Sequence, residues 1–214
     1  ANARLFDILR MDHFIGVVRY YSIPSEDENA RNGKWMKGPG KKLTDAINES
    51  VGDGKVIAED LGDITDEVRE LVEESGFPGM RIFQFGFLDD GDSIHMPHNY
   101  IKNSIAYSGT HDNNTLLGYL WETPTDQKNE VMRYCVCDEN QWNENGCKAI
   151  IRTIMASNAG LAIFPVQDLL GYGNDTRLNV PGRAEGNWLY RITKEQLNLI
   201  DTNYYKKLNE LYGR

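Results

Sequence analysis

The sequence has few cysteines, no long apolar run and no excess of basic residues. Its three cysteines, Cys135, Cys137 and Cys147, are an odd number without a histidine at zinc-site spacing, so we expect neither a disulfide framework nor a zinc site. No stretch approaches the roughly 18 apolar residues of a membrane span, and the N-terminal residues lack the apolar segment of a secretory signal. These absences predict reduced thiols, no membrane partner and a cytoplasmic location.

Acidic residues outnumber basic ones, with 32 Asp and Glu against 23 Lys and Arg, and the formal net charge is −9. Nucleic acids and anionic lipid surfaces are themselves negative, so we expect no binding to either. A neutral or cationic partner is compatible with this charge. The length of 214 residues, of which 40% are hydrophobic, suits one large domain or two small ones.

Short apolar runs alternate with segments of helical periodicity. The runs predict buried strands: RLFDILRMD, KVIAED, GMRIFQFGF, SIAYSGTHD and GLAIFPVQD. A helix is predicted over residues 64–74, with Thr65 as N-cap and Gly76 as stop signal, and further helices over 125–136, 143–157 and 193–213. This alternation predicts parallel βα units, in either a doubly wound sheet or a (β/α)8 barrel.

Polar side chains follow the ends of at least four of these five predicted strands. Catalytic residues of a (β/α)8 barrel come from several strand ends, whereas a doubly wound sheet concentrates function at one switch point. This distribution favours the barrel. Five strands do not close a barrel of eight, so either three strands lie outside this chain or the barrel interpretation is wrong.

Carboxylates at two predicted strand ends are candidates for acid–base and nucleophilic chemistry. Side chains alternate along a strand, so Arg10 and Asp12 point the same way, and the guanidinium favours an ionised aspartate that can act as a nucleophile. The alternative is a structural Arg–Asp ion pair. Glu59 set against apolar walls has a raised pKa and can act as a general acid. Its alternative is a solvated rim position, with Asp60 in a turn.

The third polar site is YSGTHDNNT, residues 107–115, in which His111 offers a hydrogen-bond donor and Asp112 an acceptor. Its alternative interpretation is a His–Asp turn that leads into the next helix. His95 and His98 are a weak metal pair, and we expect a loop contact or a ligand-facing role instead.

Three carboxylates at strand ends suit chemistry on a sugar. Acid–base work on a glycosidic bond needs two carboxylates across that bond, and a third can hold sugar hydroxyls. Nearby aromatic side chains could stack on pyranose rings, with core packing as the alternative for most of them: Tyr20, Tyr21, Trp35, Tyr100, Trp121 and Tyr172.

Seven motifs make the sequence resemble the 4-α-glucanotransferases, a family that includes amylomaltases and plant disproportionating enzymes. They stand in family order and cover nearly the whole chain: RMDHF, GKWMKGPG, IAEDLGDIT, PGMRIFQFGF, PHNY, SGTHDNNT and RLNVPGRAEGNW. The resemblance implies a (β/α)8 barrel of the α-amylase type. It also implies retaining transfer of α-1,4-glucan segments between maltooligosaccharides, with no cofactor and no metal.

The resemblance further implies roles for individual residues. Asp12 resembles the nucleophile, Glu59 the general acid/base, and Asp112 the carboxylate that stabilises the transition state. Arg10 resembles the arginine that orients the nucleophile, and His111 resembles the histidine that binds the sugar at the −1 subsite. The other residues expected to bind substrate are Asp60, Asn113, Trp35 and His98. Retention predicts the carboxyls of Asp12 and Glu59 to be about 5–5.5 Å apart.

Two departures from the family pattern bear on function. Ile15 stands where many relatives have arginine, which we expect to alter local support or an acceptor subsite. The chain is expected to span only the fourth to eighth barrel strands, so that residues 1–214 form a partial catalytic domain and the missing N-terminal strands are a further partner. The alternatives are an α-amylase-like hydrolase and an inactive glucan-binding fragment. A loop at residues 172–182 is expected to exclude water and favour transfer over hydrolysis.

Overall fold

The computed structural model describes residues 2–52, 54–88 and 93–214, which form two compact units divided between Met80 and Arg81. Parallel strands alternate with helices along the chain, as the sequence predicts. Every helix within these ranges is too short or too polar to cross a lipid bilayer.

The first unit, up to Met80, contains parallel strands, a hairpin and helices. Its elements are β1 (Leu9–Met11), α1 (Ile15–Val18), β2 (Arg19–Ser22), β3 (Lys34–Lys37), α2 (Lys41–Val51), β4 (Val56–Ala58), α3 (Asp66–Ser75) and the start of β5 (Gly79–Ile82). β1 pairs with β4 in parallel along its whole length, and Ala58 of β4 pairs with Gly79 of β5. β2 and β3 pair with each other in the antiparallel sense.

The core of the first unit lies between α3 and the strands. Val68 and Leu71 are three residues apart on α3 and are both buried, because positions with this spacing share one helix face. Phe14 and Phe77 pack edge to face in the same core, with 6.2 Å between their ring centroids. Ile15 is also buried in this core, at 6% exposure.

Helix α3 confirms the prediction over residues 64–74 with small differences at its ends. The helix begins at Asp66, and Thr65 holds the N-cap position without a side-chain cap hydrogen bond. Gly76 ends the helix in the left-handed conformation, with φ at 73°, which glycine adopts without steric cost.

The second unit, from Arg81 onward, contains a larger helical core beside parallel strands. Its elements are the end of β5, β6 (Ser104–Tyr107), α4 (Leu116–Glu122), α5 (Thr125–Tyr134), α6 (Glu144–Met155), β7 (Leu161–Ile163), α7 (Val166–Leu170), α8 (Lys194–Leu197) and α9 (Thr202–Tyr212). β6 and β7 pair in parallel from Ile105↔Leu161 to Tyr107↔Ile163. Ile150, Ile151 and Ile154 of α6 are fully buried at the centre of the core.

Three sequence predictions are wrong in detail. The helix predicted over 193–213 is two helices, α8 and α9, because the side chain of Asp201 accepts the backbone N–H of Tyr204 and starts a new helix there. The strand predicted in GLAIFPVQD ends at Ile163, and Pro165 occupies the N-cap of α7. The strand predicted in GMRIFQFGF ends at Ile82 and continues as a 3-10 turn.

The hairpin and α2 were not predicted from the sequence. Both hairpin strands are exposed on nearly every residue, so they lack the alternation of apolar and polar side chains that marks a half-buried strand. Helix α2 buries only Thr44, and its start at Gly40 has no capping side chain.

Replacing a core residue of α6 tests this description of the second unit. Ile154→Ala is expected to lower the free energy of unfolding by about 2–5 kcal/mol, because it leaves a cavity at a fully buried position. Leu211→Ala on α9 removes a side chain that is 68% exposed and is expected to change stability by less than about 0.5 kcal/mol. Urea titration followed by circular dichroism measures both, and equal effects would show that the core is misassigned.

Candidate active site

The pairing of β1 with β4 places Asp12 and Glu59 at neighbouring strand ends. Met11 and Ala58 form the last paired positions, and Asp12 and Glu59 are the next residue of each strand. The backbone N–H of Glu59 donates to the Met11 carbonyl at 2.9 Å, and the Phe14 N–H donates to the Glu59 carbonyl at 3.0 Å. The prediction that each of these carboxylates follows a parallel strand is therefore confirmed, and the structure shows that the two strands are adjacent.

The carboxylate of Glu59 is largely buried and bound by backbone donors. Its residue is 9% exposed, Oε2 accepts the His13 N–H at 2.7 Å, and Oε1 accepts the Leu61 N–H at 3.2 Å. Burial raises the pKa of Glu59, and the charge of Asp12 adds to the rise, while the His13 donor and the charge of Arg10 oppose it. The burial of Glu59 excludes the alternative of a solvated rim position, and its pKa shift has the direction that the sequence predicts.

Arg10 and Asp12 form the predicted pair. The Nη2 atom of Arg10 donates to Oδ1 of Asp12 at 2.5 Å, and the Asp12 side chain is 77% exposed. The paired carboxylate therefore stays accessible to a ligand. His13, the next residue, has φ at 49°, a left-handed conformation that costs a non-glycine residue about 1–3 kcal/mol. The same residue directs its N–H at Glu59.

Asp60 is buried, and the main chain holds it. Its Oδ1 accepts the backbone N–H of Met80 at 2.6 Å, which ties the end of β4 to β5. A side chain at Gly79 would overlap the Asp60 carboxylate, so a glycine is needed there. Asp60 thus has a supporting role beside Glu59, and sugar binding by Asp60 stays a prediction.

In the second unit, the loop at residues 177–188 holds the predicted pair of His111 and Asp112. Asn179 Nδ2 donates to Asp112 Oδ1 at 2.5 Å, and Arg177 Nη2 donates to the Asp112 carbonyl at 2.8 Å. The Trp188 ring lies beside the His111 ring, with 5.3 Å between centroids and 37° between planes. His111 Nε2 is 3.4 Å from Asp112 Oδ2, close enough for an ion pair when the imidazole is protonated.

The sequence analysis missed these three supporting residues. Arg177 and Asn179 fall within the loop that was expected to exclude water, and Trp188 ends the last family motif. The sequence therefore indicated their segment but not their contacts with His111 and Asp112. The available signal was the concentration of Arg, Asn and Trp in RLNVPGRAEGNW, a segment with little apolar periodicity.

Other polar residues of YSGTHDNNT shape the loop itself. Asn113 Oδ1 accepts the backbone N–H of Thr110 at 2.9 Å and its hydroxyl at 3.0 Å. Thr115 caps α4 by accepting the Gly118 N–H at 3.1 Å. The alternative of a polar turn that leads into a helix therefore describes part of this stretch, while His111 and Asp112 make the contacts with residues 177–188.

A further carboxylate, Asp168, is buried beneath this loop. It is 2% exposed, accepts the Ser108 hydroxyl at 2.6 Å and accepts the Leu116 N–H at 2.7 Å at the start of α4. Burial raises the pKa of Asp168 to about 6, although both hydrogen bonds lower it. Because its two hydrogen bonds hold Ser108 and the start of α4, we assign Asp168 to the support of the loop.

The remaining predicted binding residues lie apart from these contacts. His98 is exposed, and its Nδ1 atom is 2.9 Å from the Tyr134 hydroxyl. Trp35 is 56% exposed on β3. Tyr100, one of the candidate stacking residues, is 2% exposed and belongs to the core. Among the described residues, no cluster of three or more His, Cys, Asp or Glu side chains could hold a metal ion.

A large cavity of the second unit lies away from the candidate residues. It has a volume of about 1170 Å³, and Leu161, Tyr205 and Arg214 are among the residues that line it. Neither His111 nor Asp112 contributes to its wall. Because these residues do not line it, the cavity has no part in the proposed carboxylate chemistry, despite its size.

The pKa of Glu59 can be followed by NMR through the backbone amide of His13, which donates to it. We expect the His13 amide shift to titrate above the ordinary glutamate pKa of 4.5. Asp12→Asn is expected to lower that midpoint, because it removes a negative charge, and Arg10→Met to raise it, because it removes a positive one. A midpoint at the ordinary value, or shifts of the opposite sign, would show that Glu59 is solvated.

The raised pKa of Asp168 predicts a pH dependence of stability. Between about pH 4 and pH 6 the folded chain binds more protons at Asp168 than the unfolded chain, so stability falls as the pH rises through this range. Relative to Asp168→Asn, the wild-type chain is expected to lose about 3 kcal/mol across it. Ser108→Ala is expected to extend the loss of stability to higher pH, because it removes a hydrogen bond that lowers the pKa of Asp168. Urea titrations at a series of pH values measure this, and a constant difference contradicts it.

Comparison with known proteins supplies the family. A sequence profile described as 4-alpha-glucanotransferase matches residues 1–197. The 4-alpha-glucanotransferase of Synechocystis sp. is 42% identical over 219 residues, covering 100% of this chain and 42% of that protein. The chloroplastic/amyloplastic 4-alpha-glucanotransferase of Solanum tuberosum is 41% identical, covering 98% of this chain and 36% of that protein. The chain thus spans about two fifths of the length of these curated relatives.

Solved structures of amylomaltases also match this chain. The amylomaltase from Streptococcus agalactiae in complex with acarbose matches with a TM-score of 0.91 at 37% identity, covering 99% of this chain and 42% of that one. The amylomaltase from Corynebacterium glutamicum shares the fold at 15% identity, with a TM-score of 0.75 and coverage of 98% and 36%. The fold class is therefore that of the (β/α)8 barrel, here in part. The ordered motifs, the carboxylates at strand ends and these matches together show that the chain belongs to the 4-alpha-glucanotransferase family.

Proposed function

We propose that this chain carries the catalytic carboxylates of a retaining 4-alpha-glucanotransferase, which moves α-1,4-glucan segments between maltooligosaccharides. One observation carries the proposal: Glu59, with a raised pKa, follows a strand paired with the one that Asp12 follows. A protonated acid and an ionised carboxylate at neighbouring positions are what a double displacement at a sugar requires. The family membership supplies the substrate class.

In the first step, a carboxylate oxygen of Asp12 bonds to the anomeric carbon as the glycosidic bond breaks. Glu59 gives its proton to the departing glycosidic oxygen, so the shortened glucan leaves as an alcohol. In the second step, the 4-hydroxyl of an acceptor sugar attacks the same carbon, Asp12 departs as a carboxylate, and Glu59 recovers the proton. The two displacements retain the anomeric configuration.

The environment of each group supports its role. Burial keeps a larger fraction of Glu59 protonated near neutral pH than an exposed glutamate would have, and the His13 and Leu61 donors fix its orientation. The guanidinium of Arg10 pairs with one carboxylate oxygen of Asp12, and the side chain stays largely exposed for attack. The expected separation of about 5–5.5 Å between the two carboxyls stays a prediction.

The proposed roles of the second unit concern sugar hydroxyls. Asn179 holds Oδ1 of Asp112, so that Oδ2 is oriented to accept from a hydroxyl group. Trp188 restrains the His111 ring, which has a donor to offer at the −1 subsite. Asn113 and His98 are further binding candidates. The loop at residues 172–182 is proposed to exclude water, which favours transfer to an acceptor sugar over hydrolysis.

The setting of the chain is also part of the proposal. Residues 1–214 are proposed to be part of a catalytic barrel domain, since the chain spans about two fifths of its curated relatives. The remainder of that domain is the proposed polypeptide partner. The cytoplasmic location stays a prediction, because the potato relative is described as chloroplastic/amyloplastic.

Incubation with maltotriose tests the proposed reaction. We expect glucose together with a ladder of longer oligosaccharides, and we expect Asp12→Asn and Glu59→Gln to abolish both, by at least about a thousandfold. Asp66→Asn, at a carboxylate that is 89% exposed on α3, is the matched control and is expected to keep full activity. Shortening without a ladder would identify a hydrolase. A folded chain that binds maltotriose without turnover would be the glucan-binding fragment and would contradict the proposal for this chain.

A further inference from the structure

An indole ring on the hairpin of the first unit is both exposed and held in place. Trp35 on β3 is 56% exposed. The Tyr21 ring packs against it edge to face, with 5.3 Å between centroids, and the Arg19 guanidinium lies over one face of the indole, 4.6 Å from its centroid. An exposed aromatic side chain that has already lost its rotational freedom binds a ligand at a smaller entropic cost than a mobile one.

The neighbours of Trp35 are themselves anchored. The Tyr21 hydroxyl donates to the Ala30 carbonyl at 2.9 Å, and a side chain at Gly33 would overlap the Tyr21 ring. Arg19 Nη2 donates to Asp63 Oδ2 at 2.7 Å. The Trp35 platform is therefore built by the first unit itself.

A cavity of about 460 Å³ lies between this platform and α3, and we call it the hairpin pocket. Gly38 and Gly40 line it without side chains, and a side chain at Gly38 would overlap the backbone of Val17. The volume is within the roughly 300–1,000 Å³ range of small-molecule sites. Neither Asp12 nor Glu59 lines the pocket, so it is not the site of the proposed chemistry.

The charges around the pocket balance. Three cationic side chains and three carboxylates line it: Arg19, Lys37, Lys41, Glu67, Glu70 and Glu74. Such a balance favours a neutral ligand over an anion or a cation. Within the described part of the chain, Lys37, Glu67 and Glu70 make no side-chain hydrogen bond or ion pair, so their donors and acceptors are available to hydroxyl groups.

We propose that the hairpin pocket binds a short segment of α-1,4-glucan as a second, non-catalytic site. One pyranose ring packs its apolar face on the part of Trp35 that Arg19 leaves exposed, while Glu67, Glu70 and Lys37 form hydrogen bonds with its hydroxyl groups. A neutral, hydroxyl-rich ring with an apolar face matches an aromatic platform beside a balanced polar wall. The choice of glucan among neutral sugars rests on the proposed function.

Fluorine NMR of the chain labelled with fluorotryptophan tests this proposal, because the four tryptophans give separate reporters. Trp35 reports on the hairpin pocket and Trp188 on the His111 side of the second unit. On titration with maltoheptaose we expect the Trp35 resonance to shift in a saturable way. Trp35→Ala is expected to weaken this binding about tenfold, as followed by calorimetry, and Glu70→Gln to weaken it severalfold.

Trp121→Ala is the matched control, since Trp121 is 54% exposed but belongs to the second unit. It is expected to leave the Trp35 response unchanged, and so is a change from low to high salt, because the ligand is neutral. A Trp35 resonance that stays unmoved at saturating maltoheptaose overturns the hairpin pocket, whatever Trp188 does. A shift of Trp35 in a chain that yields no maltotriose ladder supports the pocket and contradicts the proposed transferase activity, so the two failures are distinguishable.

Discussion

The parallel pairing of β1 with β4 is the constraint on which the candidate chemistry depends. It brings two residues that are 47 positions apart to adjacent strand ends, and the hydrogen bond from the His13 N–H to the Glu59 carboxylate, at 2.7 Å, closes the junction. Glu59 is thereby withdrawn from water without losing its orientation. The same contact leaves Asp12 free to pair with Arg10 on the exposed side. Burial therefore raises the pKa of Glu59, the proposed acid/base, while Asp12, the proposed nucleophile, stays accessible to solvent.

The second unit uses its carboxylates in a comparable division. Asp112 is half exposed and has one oxygen bound by Asn179, whereas Asp168 is enclosed and has both oxygens bound. The first arrangement leaves acceptor capacity for a ligand. The second uses that capacity to hold the start of α4 beneath the polar loop. Burial of a carboxylate is therefore not by itself evidence for a catalytic role, because the buried Asp168 holds the start of α4.

Backbone strain accompanies both polar sites. His13 and Trp188 have φ values of 49° and 62°, in the left-handed region that side chains disfavour. His13 follows Asp12 and binds Glu59, and Trp188 lies against His111. In each case the strained residue contacts a predicted catalytic or sugar-binding side chain and helps to position it, which links the strain to the proposed function. The free energy that this strain costs is offset by burial of apolar side chains in the two cores, for example the fully buried isoleucines of α6.

Local sequence patterns predicted the polar residues that follow each strand, a helix over residues 64–74 that the structure has at 66–75, and the family to which seven ordered motifs point. These features are local, because strand ends, helix periodicity and caps are written within a few residues of one another. Contacts between distant segments bury Glu59, join Asn179 to Asp112 across 67 positions, and leave Trp35 exposed beside α3. These features depend on which segments far apart in the sequence come into contact, and local sequence patterns do not encode those contacts. The exposed hairpin shows the limit clearly, since its strands are stabilised by each other and carry no apolar periodicity to reveal them.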